Sequence, residues 1–463
     1  MKLSFFGAAR QVTGSMFMLE LEHGYKVLID CGADLSKRNL PGPLFPFQPS
    51  EIDLVLLTHA HLDHSGNIPN LLVQGYKGQV ICTPATLALA EIILKDSALI
   101  QSKSLKRKIN REKFSKRQKE PDNLFLAKQV NEAMEQFLTI AFNKRFEVRE
   151  DLFVTFIPAG HLLGAANILI EVKEHNEWKK IIFSGDIGRK DYPILKDPQA
   201  IPQADYIICE STYGITRHQD EGKPENLLLD IVEKACVKIP GRLIIPAFSI
   251  GRTQSILYTL HKLSLDKKLP PVKIFADSPM AEASTKVYEK FPELLNEEAK
   301  KKLEKNQSLF DFENLVIIHT EKQSRQVSNY LEPCIIISSS GMLTGGRVES
   351  HLKANLANPY CTILMVGYTA EGTPGHGLLH KKTVNIKGRN LPVTARILRT
   401  DIFSGHGDQD DLLAFVKSQK KEKLKKIFLV HGEYDSMLGF KKLLEEEGYG
   451  NVEMPKKGET YIL

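Results

Sequence analysis

Apolar residues recur along this chain in two different rhythms. In the first thirty positions, LSFFGAA, SMFMLELE and YKVLIDCG are short strand-like runs separated by turn-prone residues such as Val12-Thr13-Gly14, which predicts a hairpin or meander. The apolar run Leu54-Val55-Leu56-Leu57 predicts a further strand that opens into THAHLDHSG, followed by helix. Residues 35–50 hold several prolines and no periodicity, and read as a loop. The run GQVICT predicts a strand, Pro84 to Ile100 a helix, and LAKQVNEAMEQFLTIAF a second helix. Strands return in DLFVTFIPAGHLLGAANILIEV and KKIIFSGDIG.

After about Glu210 the rhythm changes. Five apolar runs (Leu243 to Phe248, Val272 to Asp277, Leu315 to Thr320, Cys334 to Ser339, Thr362 to Tyr368) mostly alternate with helical stretches such as GRTQSILYTLHKL and GGRVESHLKANLA. Strand–helix alternation of this kind predicts a parallel α/β sheet. From about Asn385 the first style resumes. The expected division is therefore one domain interrupted by another: 1–209 and 385–463 form the first, and 210–384 the insertion.

Composition narrows the class. With 463 residues, 42% hydrophobic and 25% charged, the chain is long enough for two or three globular domains. No apolar run reaches the roughly 18 residues needed to span a membrane, and the N-terminus does not read as a signal peptide. Six scattered cysteines with no C-x-x-C argue against a zinc finger or disulfide framework and for the reducing cytoplasm. The net charge of +6 is local: Gln101 to Glu120 carries nine Lys/Arg against two Glu. That run reads either as a phosphate grip or as a solvated helical face.

The chemistry centres on H-x-H-x-D-H, spelled by His59, His61, Asp63 and His64. Imidazole and carboxylate are the ligands zinc takes in catalytic sites. His59 and His61 suit one metal, and Asp63 with His64 a second. Three later residues share the same context, a strand end beside glycine: His161 in PAGHLLGA, Asp186 in FSGDIG and His431 in LVHGE. His161 completes the first set and His431 the second, and Asp186 bridges them. Such a pair of metals activates a water and neutralises charge on a phosphoryl or carbonyl group. Asp30 also ends a strand and is placed behind the ligands, to hold the loop or orient a histidine. His406 in FSGHGD is the candidate proton donor, with Glu210 in CESTYG orienting it. Ser339 and Gly341 in a Ser/Gly turn, with Arg252 and Arg347 near helix starts, are candidate phosphate contacts.

In their order, these motifs resemble the metallo-β-lactamase-fold nucleases with a β-CASP insertion. The family includes the endonuclease subunit of the cleavage and polyadenylation specificity factor, its bacterial and archaeal relatives and, more distantly, RNase J. THAHLDHSG resembles the family's zinc loop, and LIDCG, PAGHLLGA and FSGDIG the motifs that flank it. CESTYG resembles the acidic motif that opens the insertion. PAFSIGRTQ, ADSPMA, SSSGMLTGGR and GYTAEGTPG resemble the inserted domain's signatures, and SGHGD and LVHGE the two late histidine motifs. The resemblance implies an αββα sandwich with an inserted β-CASP α/β domain and two Zn2+ per chain held by the seven residues above. It also implies that His406 protonates the leaving oxygen and that single-stranded RNA is cut, mainly endonucleolytically, in a cleft between the domains. Relatives commonly dimerise, so a homodimer is compatible with it. Two rival readings stand beside this one: a small-molecule hydrolase acting on thioesters or lactones, and a catalytically weak RNA-binding subunit.

Overall fold

The computed structural model describes residues 1–34, 45–112, 126–219, 222–343, 345–367, 369 and 373–463; for 103–112 it describes the backbone alone. The side chains of the basic run from residue 103 onward therefore lie outside the described residues. The chain divides into two compact units. The first is Met1–Lys190, Asp197–Arg217 and His406–Leu463; the second is Asp191–Lys196 and His218–Gly405.

The first unit contains two seven-stranded sheets. One runs Thr460–Ile462, Lys2–Phe5, Phe17–Glu20, Lys26–Ile29, Leu54–Leu56, Gln79–Cys82 and Phe137–Thr139. The other runs Val452–Glu453, Lys426–Val430, Tyr206–Glu210, Glu177–Phe183, Ala166–Glu174, Leu152–Pro158 and Phe146–Arg149. Alternation along the strands sends Phe5, Phe17, Ile29 and Leu56 from the first sheet, and Phe156, Ile170, Phe183 and Phe428 from the second, into one core between them. The opposite faces are also buried. Ile182, Ile207 and Leu429 of the second sheet pack on helices Gln409–Lys417 and Tyr434–Glu446 through Leu412, Val416, Met437 and Phe440. Val55 and Val80, which point away from the intersheet core, are fully buried. The chain that follows these strands forms helices Ile68–Val73, Pro84–Glu112 and Ala127–Met134. Within this unit the layers are helix, sheet, sheet, helix.

The second unit carries a six-stranded sheet in the order Leu315–Ile317, Lys273–Asp277, Cys334–Ser338, Arg242–Pro246, Cys361–Val366, Arg396–Thr400. Every neighbouring pair is parallel. The central runs CIIIS and CTILMV are buried along their whole length, as expected of strands covered on both faces. Helices such as Arg252–Leu265 and Val348–Asn355 lie between the strands in sequence.

Two expectations change. The second unit extends to Gly405, beyond the expected 384, because Arg396–Thr400 pairs in parallel with Cys361–Val366 and adds a strand to that sheet. And LAKQVNEAMEQFLTIAF is not one helix: Ala127–Met134 is helical, but Phe137–Thr139 pairs with Val80–Cys82 as an edge strand. Aromatic and β-branched residues there gain more from ladder pairing than from a further helical turn.

The intersheet core generates a stability prediction. Phe5 is fully buried, with ring centroids 5.8 Å from Phe17 and 5.2 Å from Phe428. Phe5→Ala should cost about 3–5 kcal/mol, measured as a shift in the urea midpoint; a loss under about 1 kcal/mol would show that this core relaxes around the gap.

Candidate metal centre

Six strands of the first unit end at one place. In the second sheet Leu152–Pro158, Glu177–Phe183, Tyr206–Glu210 and Lys426–Val430 run in the same direction. Just beyond or at their C-terminal ends lie His161, Asp186, Glu210 and His431. In the first sheet Lys26–Ile29 and Leu54–Leu56 are parallel neighbours and lead into Asp30 and the Thr58–His64 segment. The sheets meet where Ala166 N–H donates to the Thr58 carbonyl at 3.0 Å. Gly185 (φ +53°) lets the Asp186 loop approach this segment: a Cβ at that position would lie 2.8 Å from Thr58 Cβ.

Three clusters result. His59, His61, His161 and Asp186 form one; Asp63, His64 and His431 a second; Asp186, Glu210 and His406 a third. In the first, His61 Nδ1 lies 3.1 Å from His59 Nε2 and 3.2 Å from His161 Nε2. Both Nε2 atoms are 3.5 Å from Asp186 Oδ2. In the second, His431 Nε2 is 3.4 Å from both His64 Nε2 and Asp63 Oδ2. Asp186 Oδ1 faces this cluster, 3.2 Å from His64 Nε2 and 3.6 Å from His431 Nδ1. One carboxylate thus presents one oxygen to each cluster.

The hydrogen bonds behind the ring atoms fix the tautomers. Thr58 Oγ1 donates to the Asp30 carboxylate (2.8 Å to Oδ2), so its oxygen accepts from His59 Nδ1–H at 3.1 Å. His64 Nδ1–H donates to Asp30 Oδ2 at 2.7 Å. Thr212 Oγ1 donates to the His431 carbonyl at 3.0 Å and accepts from His431 Nδ1–H at 3.1 Å. At His59 the Nε2 lone pair is left to face the centre, and Nε2 of His64 and of His431 faces it as well. Lone pairs converging at 3.1–3.4 Å repel one another unless a cation or proton lies among them. The donor set, all imidazole nitrogen and carboxylate oxygen, suits zinc. The buried Asp186 Oδ1 makes no hydrogen bond, which also fits a cation as its partner.

The electrostatics agree. Burial, reinforced by the neighbouring His64, pushes the His59 imidazole well below its ordinary pKa, and burial takes His61 down to about 4, so both are neutral ligands at pH 7. Burial disfavours charge on Asp63 as well, but the hydrogen bond from His431 and the His64 charge outweigh it and bring the carboxyl to about 2. At Asp186 the surrounding imidazoles, His431 and His64 foremost, likewise overcome burial and hold the carboxyl well below its usual range. His64 behaves oppositely: burial opposes its charge, but Asp186 and Asp30 overcome that and raise it well above the imidazole range.

The third cluster differs in kind. His406 Nδ1 is 3.1 Å from Glu210 Oε1, and its Nε2 is 3.9 Å from Asp186 Oδ2. Glu210 is fully buried and also accepts from the Ile187 N–H at 2.6 Å. The carboxylate accepts a hydrogen bond from Nδ1–H and leaves Nε2 turned toward the centre.

All seven expected ligands and the Glu210–His406 pair are therefore adjacent within one unit, and Asp30 lies against His64. The candidate phosphate contacts lie in the second unit. Ser339 and Gly341 follow the strand Cys334–Ser338. Arg347, however, is engaged: its Nη1 is 2.7 Å from Asp277 Oδ1 and donates to the Ile318 carbonyl, while Nη2 donates to that of His319. Arg252 is buried, with its guanidinium on the Phe403 carbonyl and the Phe248 ring. Both arginines thus make contacts inside this unit. Sequence reasoning missed Thr58 and Thr212, which set two histidine tautomers; their positions next to HxHxDH and CES were the available signal.

Three family models match the chain: a metallo-beta-lactamase superfamily domain over residues 18–202, a Beta-Casp domain over 253–378 and a Zn-dependent metallo-hydrolase RNA specificity domain over 390–455. The chain belongs to the β-CASP family of metallo-β-lactamase-fold, metal-dependent hydrolases. Among its relatives, Ribonuclease TTHA0252 of Thermus thermophilus is 33% identical over 423 residues, covering 91% of this chain and 92% of that one. Transcription termination factor FttA of Methanosarcina mazei is 30% identical over 90% of this chain, and Cleavage and polyadenylation specificity factor 73 of Drosophila melanogaster 28% over 89%. The chain spans 64% and 58% of the length of these last two. No described helix is long and apolar enough to cross a membrane.

Two outcomes follow from this geometry. Because His64 holds a proton that a cation must displace, zinc binding should release protons and tighten as pH rises from 6 to 8. Calorimetry in buffers of different ionisation enthalpy reads this directly; pH-independent affinity would contradict it. Asp30→Asn should weaken zinc retention about 10–100-fold, measured by competition with a chromogenic chelator; unchanged affinity would remove Asp30 from the support of His64.

Proposed function

We propose that this chain is a zinc-dependent ribonuclease that hydrolyses phosphodiester bonds of single-stranded RNA, chiefly by internal cleavage. His59, His61 and His161 would hold one zinc and Asp63, His64 and His431 a second, with Asp186 between the two sets. Zinc held there would supply Lewis-acid polarisation of a phosphoryl oxygen and a water activated near neutral pH. The chain's own contribution is to keep the imidazoles in the right tautomer, through Asp30, Thr58 and Thr212, and to manage the leaving group's proton.

The observation that carries the reading is the Glu210–His406 pair beside Asp186. A thiolate leaves at neutral pH without help, since thiols ionise near pH 8.5. A ribose oxygen is far more basic and must be protonated as the P–O bond breaks. An imidazole with Nδ1 held by a buried carboxylate and Nε2 directed at the centre is placed to donate that proton. The arrangement therefore favours a phosphodiester over a thioester. The names of a ribonuclease and a cleavage factor among the relatives support RNA as the polymer. The cysteines are all free and buried, which fits the cytoplasm.

The test is cleavage of an end-labelled single-stranded RNA by zinc-loaded protein, with a thioester as the competing substrate. Internal cuts support the proposal; intact RNA with thioester turnover would replace it with the small-molecule reading, and RNA bound but never cut would leave an RNA-binding subunit. His406→Ala should lower kcat about 10²–10⁴-fold with zinc content unchanged, whereas Asp186→Ala should lose zinc and activity together. Zinc lost from His406→Ala would make His406 a ligand.

A further inference from the structure

From Thr373 to Thr400 the chain has no acidic residue, and it carries Lys381, Lys382, Lys387, Arg389, Arg396 and Arg399. The second unit folds this stretch as a hairpin, Thr383–Ile386 paired with Arg389–Pro392, followed by the sheet-edge strand Arg396–Thr400. Lys387 and Gly388 form a two-residue turn with φ of +51° and +75°, as type I′ turns require. The hairpin is not a loose arm. Val384 and Ile386 are buried in the core of the unit, with Leu391 and Val393 packed against them, and Asn385 Nδ2 donates to Asn390 Oδ1 at 2.9 Å. All six cationic side chains are exposed. Lys387 pairs with Glu349 at 3.1 Å and Arg399 with Asp401 at 3.3 Å. Lys381, Lys382, Arg389 and Arg396 make no ion pair with any described residue.

The pairing of Lys387 also locates the tip. Glu349 Oε2 holds Lys387, while its Oε1 accepts from the Gly345 N–H at 2.9 Å. The hairpin tip is thus tied to the SSSGMLTGGR segment that carries Ser339 and Gly341. Four unpaired, exposed cations, on the hairpin and its flanks and on the adjoining edge strand, in a stretch without acidic residues, suit a polyanion held without sequence preference. With Arg252 and Arg347 engaged internally, this ribbon supplies exposed positive charge that those two arginines do not.

We propose that the basic ribbon 381–399 is a docking surface for the phosphodiester backbone of single-stranded RNA. The proposal rests on the ribonuclease reading above. The experiment uses zinc-loaded full-length protein and a fluorescent 20-nucleotide 2′-O-methyl RNA that resists cleavage, with affinity read by anisotropy from 50 to 300 mM KCl. Replacing Lys381, Lys382, Arg389 and Arg396 together with Gln should weaken binding on the order of tenfold or more and flatten the log–log salt slope by roughly 3, about 0.7 per lost phosphate contact. A control variant replaces four exposed lysines of the first unit, Lys144, Lys173, Lys420 and Lys423, with Gln, and should keep the wild-type slope. An unchanged slope in the ribbon variant overturns the docking surface while wild-type RNA cleavage leaves the ribonuclease reading standing. An equal loss in the control overturns it as well, since net charge would then explain the effect. Wild-type protein that neither binds nor cuts RNA overturns both.

Discussion

Asp186 is a buried carboxylate on which two groups of imidazoles converge from opposite sides. Packing this many polar rings in a protein interior is unfavourable unless their lone pairs share a cation or their charges compensate. Much of the first unit can be read as the means of holding that arrangement. Parallel strands bring their ends to one edge, Gly185 lets the loop bearing Asp186 approach Thr58, and Asp30, Thr58 and Thr212 occupy the outer nitrogens so that the inner ones face the centre. The third cluster shares the same carboxylate: His406 lies beside Asp186 and is held from behind by Glu210.

Much of this was legible in the sequence, for a physical reason. Metal ligands need particular side chains at strand ends, and a strand running into a glycine with His or Asp between is a local signal. His161, Asp186 and His431 share that signal although they lie far apart in the chain, and the fold brings them together. The alternation of apolar runs with helical stretches after Glu210 announced a parallel sheet because strands buried on both faces cannot tolerate polar positions.

What the sequence concealed was partnership. Arg347 stands near a helix start in the sequence, and only the fold shows its partners, Asp277 and the carbonyls of Ile318 and His319. Thr58 and Thr212 look like ordinary loop residues until their hydroxyls are seen against imidazoles. The end of the insertion was misplaced because Arg396–Thr400 has the composition of either unit, and only its pairing assigns it. Phe137–Thr139 was read as helix because a three-residue strand is too short to show its own period. The basic ribbon was passed over because the denser charge run near residue 110 drew the attention, while spaced cations on an alternating hairpin read as ordinary surface.

The division of the first unit across the chain has a consequence for its synthesis. A nascent chain ending at Gly405 contains the second unit complete, and with it His59, His61, His161 and Asp186, a full set for the first cluster. It lacks His406 and His431, so the second and third clusters are incomplete in it. Strand Lys426–Val430, which carries His431 at its end, is also the neighbour that covers Tyr206–Glu210 and hence Glu210. The second and third clusters are therefore completed only by the last segment of the chain, which also brings the strand that neighbours Tyr206–Glu210.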